Sequence, residues 1–271
     1  TYDKGNAFGH VAIEVEDAYK ACESIKAKGG KVIREAGPMQ HGSTVIAFIE
    51  DPDGYVVELD GRVIRTPSKA LLKVDFRKIA DQIAFEWMAQ EEIVNPATMP
   101  NTRMANSVID KIMVNKEAVI EMLSDYSGSD LLCYRAVSPQ GLISQQNEIW
   151  NPILEWSKDV FLAPMVTTSG VMHIKQNNNS MNIYRNELKK MNLYQLAGMH
   201  DLITISGSFV IAMALISNHL NISDAWHAAT VDERWQEMQW GIDDEASEAL
   251  EKKRKDFEFA YKFWENASYT N

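Results

Sequence analysis

Cysteine is nearly absent from this chain of 271 residues: there are two, Cys22 and Cys133, far apart in sequence. Neither has a companion at metal-type spacing, so both read as buried or free thiols of a reducing compartment rather than as a disulfide framework or a zinc cluster. Positive charge is also scarce. Lys and Arg number 27 against 38 Asp and Glu, a net charge of −11, which argues against nucleic acid or an anionic membrane as a partner. Long apolar runs are missing as well. The window 202–218 carries no formal charge, but Thr204, Ser206, Gly207, Ser208 and Ser217 interrupt it, leaving only Phe209 to Ile216 as solid apolar sequence. A spanning helix needs ~20 such residues, so a buried core helix is expected and membrane insertion is not. Residues 61–271 also lack a glycine-rich phosphate loop, a nucleophile elbow and a metal-spaced histidine cluster. His173, His219 and His227 are scattered, and His200-Asp201 reads as a base with its orienter or, more often, as a capping pair. The chain opens on Thr1 and not on Met, so its targeting is not legible from this end.

What is present is ordinary globular material, 45% hydrophobic and 24% charged, enough for one or two domains. The expected fold class is α+β: a small β-α-β-β-β half-module with an added strand, followed by a mainly α-helical domain. "HVAIEV" alternates with period two, and "EDAYKACESIKAKGG" spaces Ala18, Ala21, Cys22 and Ile25 as a helix between Asp17 and the Gly29-Gly30 stop. "KVIRE", "STVIAFIE" and "YVVEL" read as strands, the last two joined by the "DPDG" turn. From Asp75 onward the pattern is nearly all helical.

His10 and Glu58 lie on the first and last strands of the N-terminal unit. If those strands are neighbours, imidazole and carboxylate project from one face, a donor pair suited to a divalent ion. From spacing alone the signal is weak, because a lone His and a lone Glu on solvated strand faces usually have no function. The stretch "GNAFGHVAIEVEDAYKACESIKAKGGKVIREAGPMQHGSTVIAFIEDPDGYVVEL" resembles the second half of bacterial glyoxalase I, lactoylglutathione lyase. That resemblance implies His10 and Glu58 as two of four ligands to Ni or Zn, with Glu58 as the proton shuttle and catalytic residue. The first half-module is missing, so a full site requires upstream sequence or a homodimer formed through the N-terminal module. His41, in "PMQHGS", reads as a solvated loop residue.

A second unusual stretch is "VDERWQEMQWGIDDEASEALEKK". From Asp232 to Glu251 it holds eight acids and one base, Arg234, with Trp235 and Trp240 interleaved. An acidic helix is usually a solvated face. Aromatic anchors beside acids, with Gly241 between two helical patterns, make a partner-binding surface an equal reading.

The motifs "LDGRVIRTPSKALLKV", "EWMAQEEIVNPATMPNTRMANSVID", "SGSDLLCYRA", "LYQLAGMHDLITISGSFVIAMAL" and "DERWQEMQWGIDDEA" together resemble the ATP synthase assembly chaperones that bind the α subunit of the catalytic head. The resemblance covers residues 59–271. It implies a chaperone without cofactor that shields free α subunit before it joins β, in the bacterial cytoplasm or the mitochondrial matrix. Partner contacts are then expected at Glu233, Trp235, Glu237 and Trp240. "NPATMPNTRMAN" and "SGSDLLCYRA" read as structural, with Arg103, Asp130 and Arg135 forming buried ion pairs or helix caps. The expected domains are a glyoxalase-like half-module at 1–60, a β-hairpin remnant of the chaperone N-terminal domain at 61–76 and a helical chaperone domain at 77–271. Tyr55–Leu59 is expected to serve both neighbours, pairing back to "STVIAFIE" and forward through Asp60-Gly61 to "RVIRT".

Overall fold

Strand and helix signals alternate ahead of residue 60, and the computed structural model places four short strands and one helix there. It describes residues 11–13, 15, 17–38, 45–50, 56–59, 64–90 and 94–268. The chain divides into two compact units, Thr1–Val114 with Asn266–Asn271, and Asn115–Glu265.

In the first unit, β1 (Val11–Ile13), α1 (Ala18–Ala27), β2 (Lys31–Pro38), β3 (Val45–Glu50) and β4 (Val56–Leu59) follow in order. The sheet order is β1-β4-β3-β2, with β1 parallel to β4 and the other pairs antiparallel. Asp17 caps α1, its carboxylate accepting from the Tyr19 and Lys20 amides at 2.9 and 3.2 Å. Those bonds, the Lys20 amide first, hold its pKa below the usual carboxylate value. Gly29, at φ +82°, ends the helix in a conformation that side chains disfavour.

Period-two alternation gives β3 two destinations. Ala47 and Ile49 pack with Cys22 of α1, while Phe48 points the other way and packs with Ala84. Ala84 belongs to α2 (Arg77–Met88), which buries Ile79, Ala80, Ile83 and Ala84 on one face. The sheet is therefore covered on one side by its own helix and on the other by a helix from the downstream sequence.

Among the described residues no added strand joins the sheet. Both edges of β4 are occupied, by β3 and by β1, so no edge remains for a forward partner. Ile64 to Leu72 folds on itself instead. Arg65 bridges Leu71, the Leu72 amide donates to the Ile64 carbonyl at 3.0 Å, and Lys69 turns the chain at φ +66°. Thr66 Oγ1 and the Ser68 amide donate to Asp110 at 2.6 and 3.1 Å, fixing this small hairpin. The Asp60-Gly61 turn lies outside the described residues.

The unit closes with α3 (Pro100–Ser107) and a π-helical turn, Val108–Ile112. Glu86 of α2 accepts four hydrogen bonds at the start of α3. They come from the Asn101 and Thr102 amides and from both side chains, at 2.7–2.8 Å. A carboxylate answers the unsatisfied amides and the positive end of the helix dipole there. The role read for "NPATMPNTRMAN" is structural, as expected, although Arg103 is exposed and forms no buried ion pair.

The second unit contains α4 (Lys116–Ser127), β5 (Tyr134–Arg135), α5 (Gln140–Phe161), β6 (Thr168–Ser169), α6 (Asn178–Lys189), α7 (Leu193–Ser206), α8 (Phe209–Ile216), α9 (Ile222–Ala229), α10 (Val231–Trp240) and α11 (Asp244–Asn266). Its centre is α8, where Phe209 to Leu215 are all buried. Ser208 caps it, and α4, α5, α7 and α9 surround it. Each large apolar side chain buried there contributes about 1.5–3 kcal/mol. Among the described residues no helix is long and apolar enough to cross a membrane.

Asp130 is the polar pin of this core. It is fully buried and accepts from the Leu132 amide, Ser208 Oγ and the Val210 amide at 2.8–3.0 Å. It thereby caps a short 3₁₀ turn and the N-terminus of α8 at once. Burial pushes its pKa up to about 6 even though these bonds favour the carboxylate. Arg135 makes no ion pair with it. Arg135 donates to the Leu132 and Gln146 carbonyls, each at 3.0 Å, and lies over the Trp150 ring at 5.1 Å.

Candidate functional site: a groove between two C-terminal helices

Helix α10 is anchored at its start and open at its end. Val231 is buried, and Asp232 accepts from Gln146 Nε2 at 2.7 Å, while Gln146 Oε1 accepts from the Ala136 amide at 2.8 Å. Trp235 is half-buried over α5, so close to Gly141 that a β-carbon there would overlap its indole ring. Trp240, by contrast, is 80% exposed. The chain then breaks at Gly241, with φ +87°, and Asp243 accepts from the Ala246 amide at 3.0 Å to start α11.

Between α10 and the first half of α11 lies an open groove of 690 Å³. Glu233, Glu237 and Trp240 line it from one side, Asp243, Ala246 and Leu250 from the other. Ile242 and Met238, 71% and 59% exposed, add apolar surface at this end of the molecule. Among the described residues Lys253 is its one lining base. Among the described residues no ion pair within the chain engages Glu233 or Glu237, whereas Glu251 and Glu258 are held by Arg254 at 2.7 and 2.5 Å. Unpaired carboxylates around exposed aromatic and aliphatic groups suit a partner that is both basic and apolar.

Of the four residues singled out in the acidic stretch, the structure brings three to the groove and places Trp235 beneath α10. Helical spacing carries this distinction: Glu233, Glu237 and Trp240 follow at steps of four and three, whereas Trp235 and Trp240 are about 140° apart around the helix. Ile242, Ala246 and Leu250 were not recognised from sequence as groove residues. Helix α11 buries only its second half, at Phe257, Ala260 and Phe263. Ala246 and Ala249 are exposed instead. His200 and Asp201 do meet, Nδ1 to Oδ1 at 2.7 Å, but the one neighbouring hydroxyl bonded to them, Thr204 Oγ1, donates to their backbone carbonyls and not to the imidazole.

For the other candidate site, His10 and His41 lie outside the described residues. Glu58 stands opposite Phe48 in the β3–β4 register and opposite Ala12 in the β1–β4 register. No group of three or more metal-ligating side chains occurs among the described residues. One imidazole and one carboxylate leave a four-coordinate ion two donors short, so the donor set does not fit a closed metal centre.

Comparison with known proteins gives two results. The family model of the ATP12 chaperone protein matches residues 43–158, and that of the Glyoxalase/Bleomycin resistance protein/Dioxygenase superfamily matches residues 1–59. Among solved structures, Atp12 from Paracoccus denitrificans is 33% identical with a TM-score of 0.74, over 82% of this chain and 96% of that one. The Atu1473 protein of Agrobacterium tumefaciens is 36% identical with a TM-score of 0.75, over 82% of this chain and 84% of that one. The fold is thus that of a mostly helical chaperone class. The chain belongs to the ATP12 chaperone family.

Its N-terminal segment is similar to a different group. A lactoylglutathione lyase of Neisseria meningitidis is 70% identical over 57 residues, 21% of this chain and 41% of that protein. A probable lactoylglutathione lyase of Synechocystis is 63% identical over 68 residues, 25% of this chain and 49% of that protein. The chain therefore spans less than half the length of these lyases.

Proposed function

We propose that this protein is an assembly chaperone for the ATP synthase catalytic head and that the groove between α10 and α11 holds the free α subunit. Family membership supports the chaperone role. The observation that carries the site is Trp240, exposed beside two carboxylates that no ion pair among the described residues engages. Such an arrangement binds by aromatic burial and steers by charge. It requires no cofactor.

The test is a pull-down of purified α subunit with the full chain and with Glu233→Lys/Glu237→Lys. The parent is expected to capture α at low salt and the double variant to lose at least tenfold in affinity. Equal capture by both would remove the groove from the interaction.

For the N-terminal sheet we infer a structural part. Phe48 packs against Ala84 of α2, so using that face of the sheet for a second copy would uncover the apolar contact. Pairing of two chains through it, and lyase chemistry at Glu58, are the competing reading. Stoichiometric uptake of Ni or Zn that disappears in His10→Ala would establish that reading in place of ours.

A further inference from the structure

The two walls of the groove between α10 and α11 repeat one spacing. On α10 the lining residues are Glu233, Gln236, Glu237 and Trp240. On α11, apart from Ser247 at the margin, they are Ala246, Ala249, Leu250 and Lys253. Both sets step by three, one and three residues, so each forms a single helical face about 100° wide. The rise of seven residues makes each wall about 10.5 Å long. The space is thus bounded by about two turns of each helix. One wall is acidic and aromatic, the other mainly apolar.

The apolar wall is the first half of a stripe whose second half the chain covers itself. From Asp244 to Ala249 every residue of α11 is exposed. Leu250 lies two turns before Phe257, which is fully buried and meets Trp226 of α9 at 5.6 Å between ring centroids. A helix therefore covers the far part of this stripe, and among the described residues the near part is left open. An extended occupant fits less well than a second helix. The lining helices bond their own backbone groups, so among the described residues a strand would find no sheet edge there. A helix satisfies its own backbone and needs only side-chain contacts.

We propose that the groove takes an amphipathic helix of its protein partner, about two turns of it, with a basic and an apolar stripe side by side. This deepens the α-subunit reading and rests on it. The basic stripe runs along α10. Lys or Arg at i and i+4 repeats the ~6 Å step from Glu233 to Glu237, and an apolar side chain one turn further on covers Trp240. The apolar stripe packs on Ala246, Ala249 and Leu250. Lys253, exposed at the end of that wall, disfavours a base there and selects an acid.

The experiment uses the full chain and three labelled peptides of about sixteen residues, a length at which an isolated helix is marginal. One carries the two stripes unconstrained, one is locked by an i,i+4 lactam on its outer face, and one has Pro at its centre. Read by fluorescence anisotropy, the locked peptide should bind about fivefold more tightly than the unconstrained one, because its ordering is already done. The Pro peptide should not bind. Glu233→Lys/Glu237→Lys should weaken the locked peptide about tenfold and bind instead a version with its bases replaced by Glu. Ala246→Arg, at an exposed position where folding is not at stake, should weaken it about fivefold by crowding the other wall. Equal binding of the locked and Pro-broken peptides overturns the helix, and so does binding unchanged by Ala246→Arg. The locked peptide should also displace captured α subunit. If Glu233 and Glu237 are needed to capture α but the locked peptide neither binds nor competes, the helix inference falls and the chaperone reading stands. If the locked peptide binds and α is never captured, the groove holds a helix and the α-subunit assignment falls. Self-association of the parent that disappears in Glu233→Lys/Glu237→Lys would make the occupant a second copy of this chain and overturn the proposal.

Discussion

The sheet of the first unit and the helix pair at the end of the second treat their exposed faces in opposite ways. β3 sends Ala47 and Ile49 to α1 and Phe48 to α2, so both faces are occupied by the chain itself. α10 and α11 diverge after Gly241 and leave Trp240 and Ile242 in solvent. A face closed by its own chain is committed to stability. A face left open with an aromatic anchor and unanswered charge has been kept for something else. The contrast matters because residue type alone would have favoured the sheet, where imidazole and carboxylate promise chemistry.

Phe48→Ala offers the most severe test of the closed face. Removing a fully buried aromatic ring should destabilise the first unit by about 3–5 kcal/mol, read from chemical unfolding. The helix pair should lose no α-subunit affinity in conditions where the variant remains folded. A loss of binding equal to the loss of stability would mean that the two regions are not independent.

Asp130 comes next, because its stabilising role is entirely internal. Asp130→Ala would strand the Val210 and Leu132 amides and Ser208 Oγ, costing about 3 kcal/mol. Its ionisation gives a second handle. Burial raises the folded-state pKa from 3.8 to about 6, so the folded chain holds this proton more tightly than the unfolded chain does. The resulting stabilisation is complete below the unfolded value and is lost as pH rises from about 4 to 6. Parent and Asp130→Asn should therefore differ progressively less in the parent's favour across that interval. A constant difference would show that the hydrogen bonds offset burial and that the group ionises normally.

How much of this contrast was legible in the sequence depended on how local its causes were. The capped helix α1, the buried helix α8 with Ser208 before it, and the break at Gly241 all announce themselves within a few residues. The acids and tryptophans of α10 did too. What failed was non-local. "RVIRT" has good strand composition, but composition does not reveal that the parallel partner β1 already holds the other edge of β4. Asp130 was recognisable only as one of three polar residues with open roles, because its bonds to Ser208 and Val210 span 78 and 80 positions. The early half of α11 shows the same limit: Ala246, Ala249 and Leu250 have the spacing of a buried stripe, and nothing nearby in sequence says that no helix covers them.

On the open face the expected effects are smaller and fall on binding rather than on folding. Trp240→Ala should weaken α-subunit capture by about 2 kcal/mol, some thirtyfold, as a central aromatic anchor does. Its unfolding midpoint should move little, because a side chain 80% exposed packs against little of its own chain. If binding is unaffected, the groove has been assigned to the wrong aromatic residue.

Gly141→Ala separates the two tryptophans most finely. The added methyl would occupy the place of the Trp235 ring, so the ring and the helix carrying it must shift. Neither Trp240 nor any groove carboxylate is altered chemically. If Trp235 positions α10 without touching the partner, affinity should fall several-fold, less than for Trp240→Ala, with a stability cost of about 1–3 kcal/mol from overpacking. Trp235→Ala in the same background should then add little further loss, because the displaced ring no longer supports the helix. A full additional loss from that second change would place Trp235 itself in contact with the partner, and the open face would extend under α10 to the side that α5 covers.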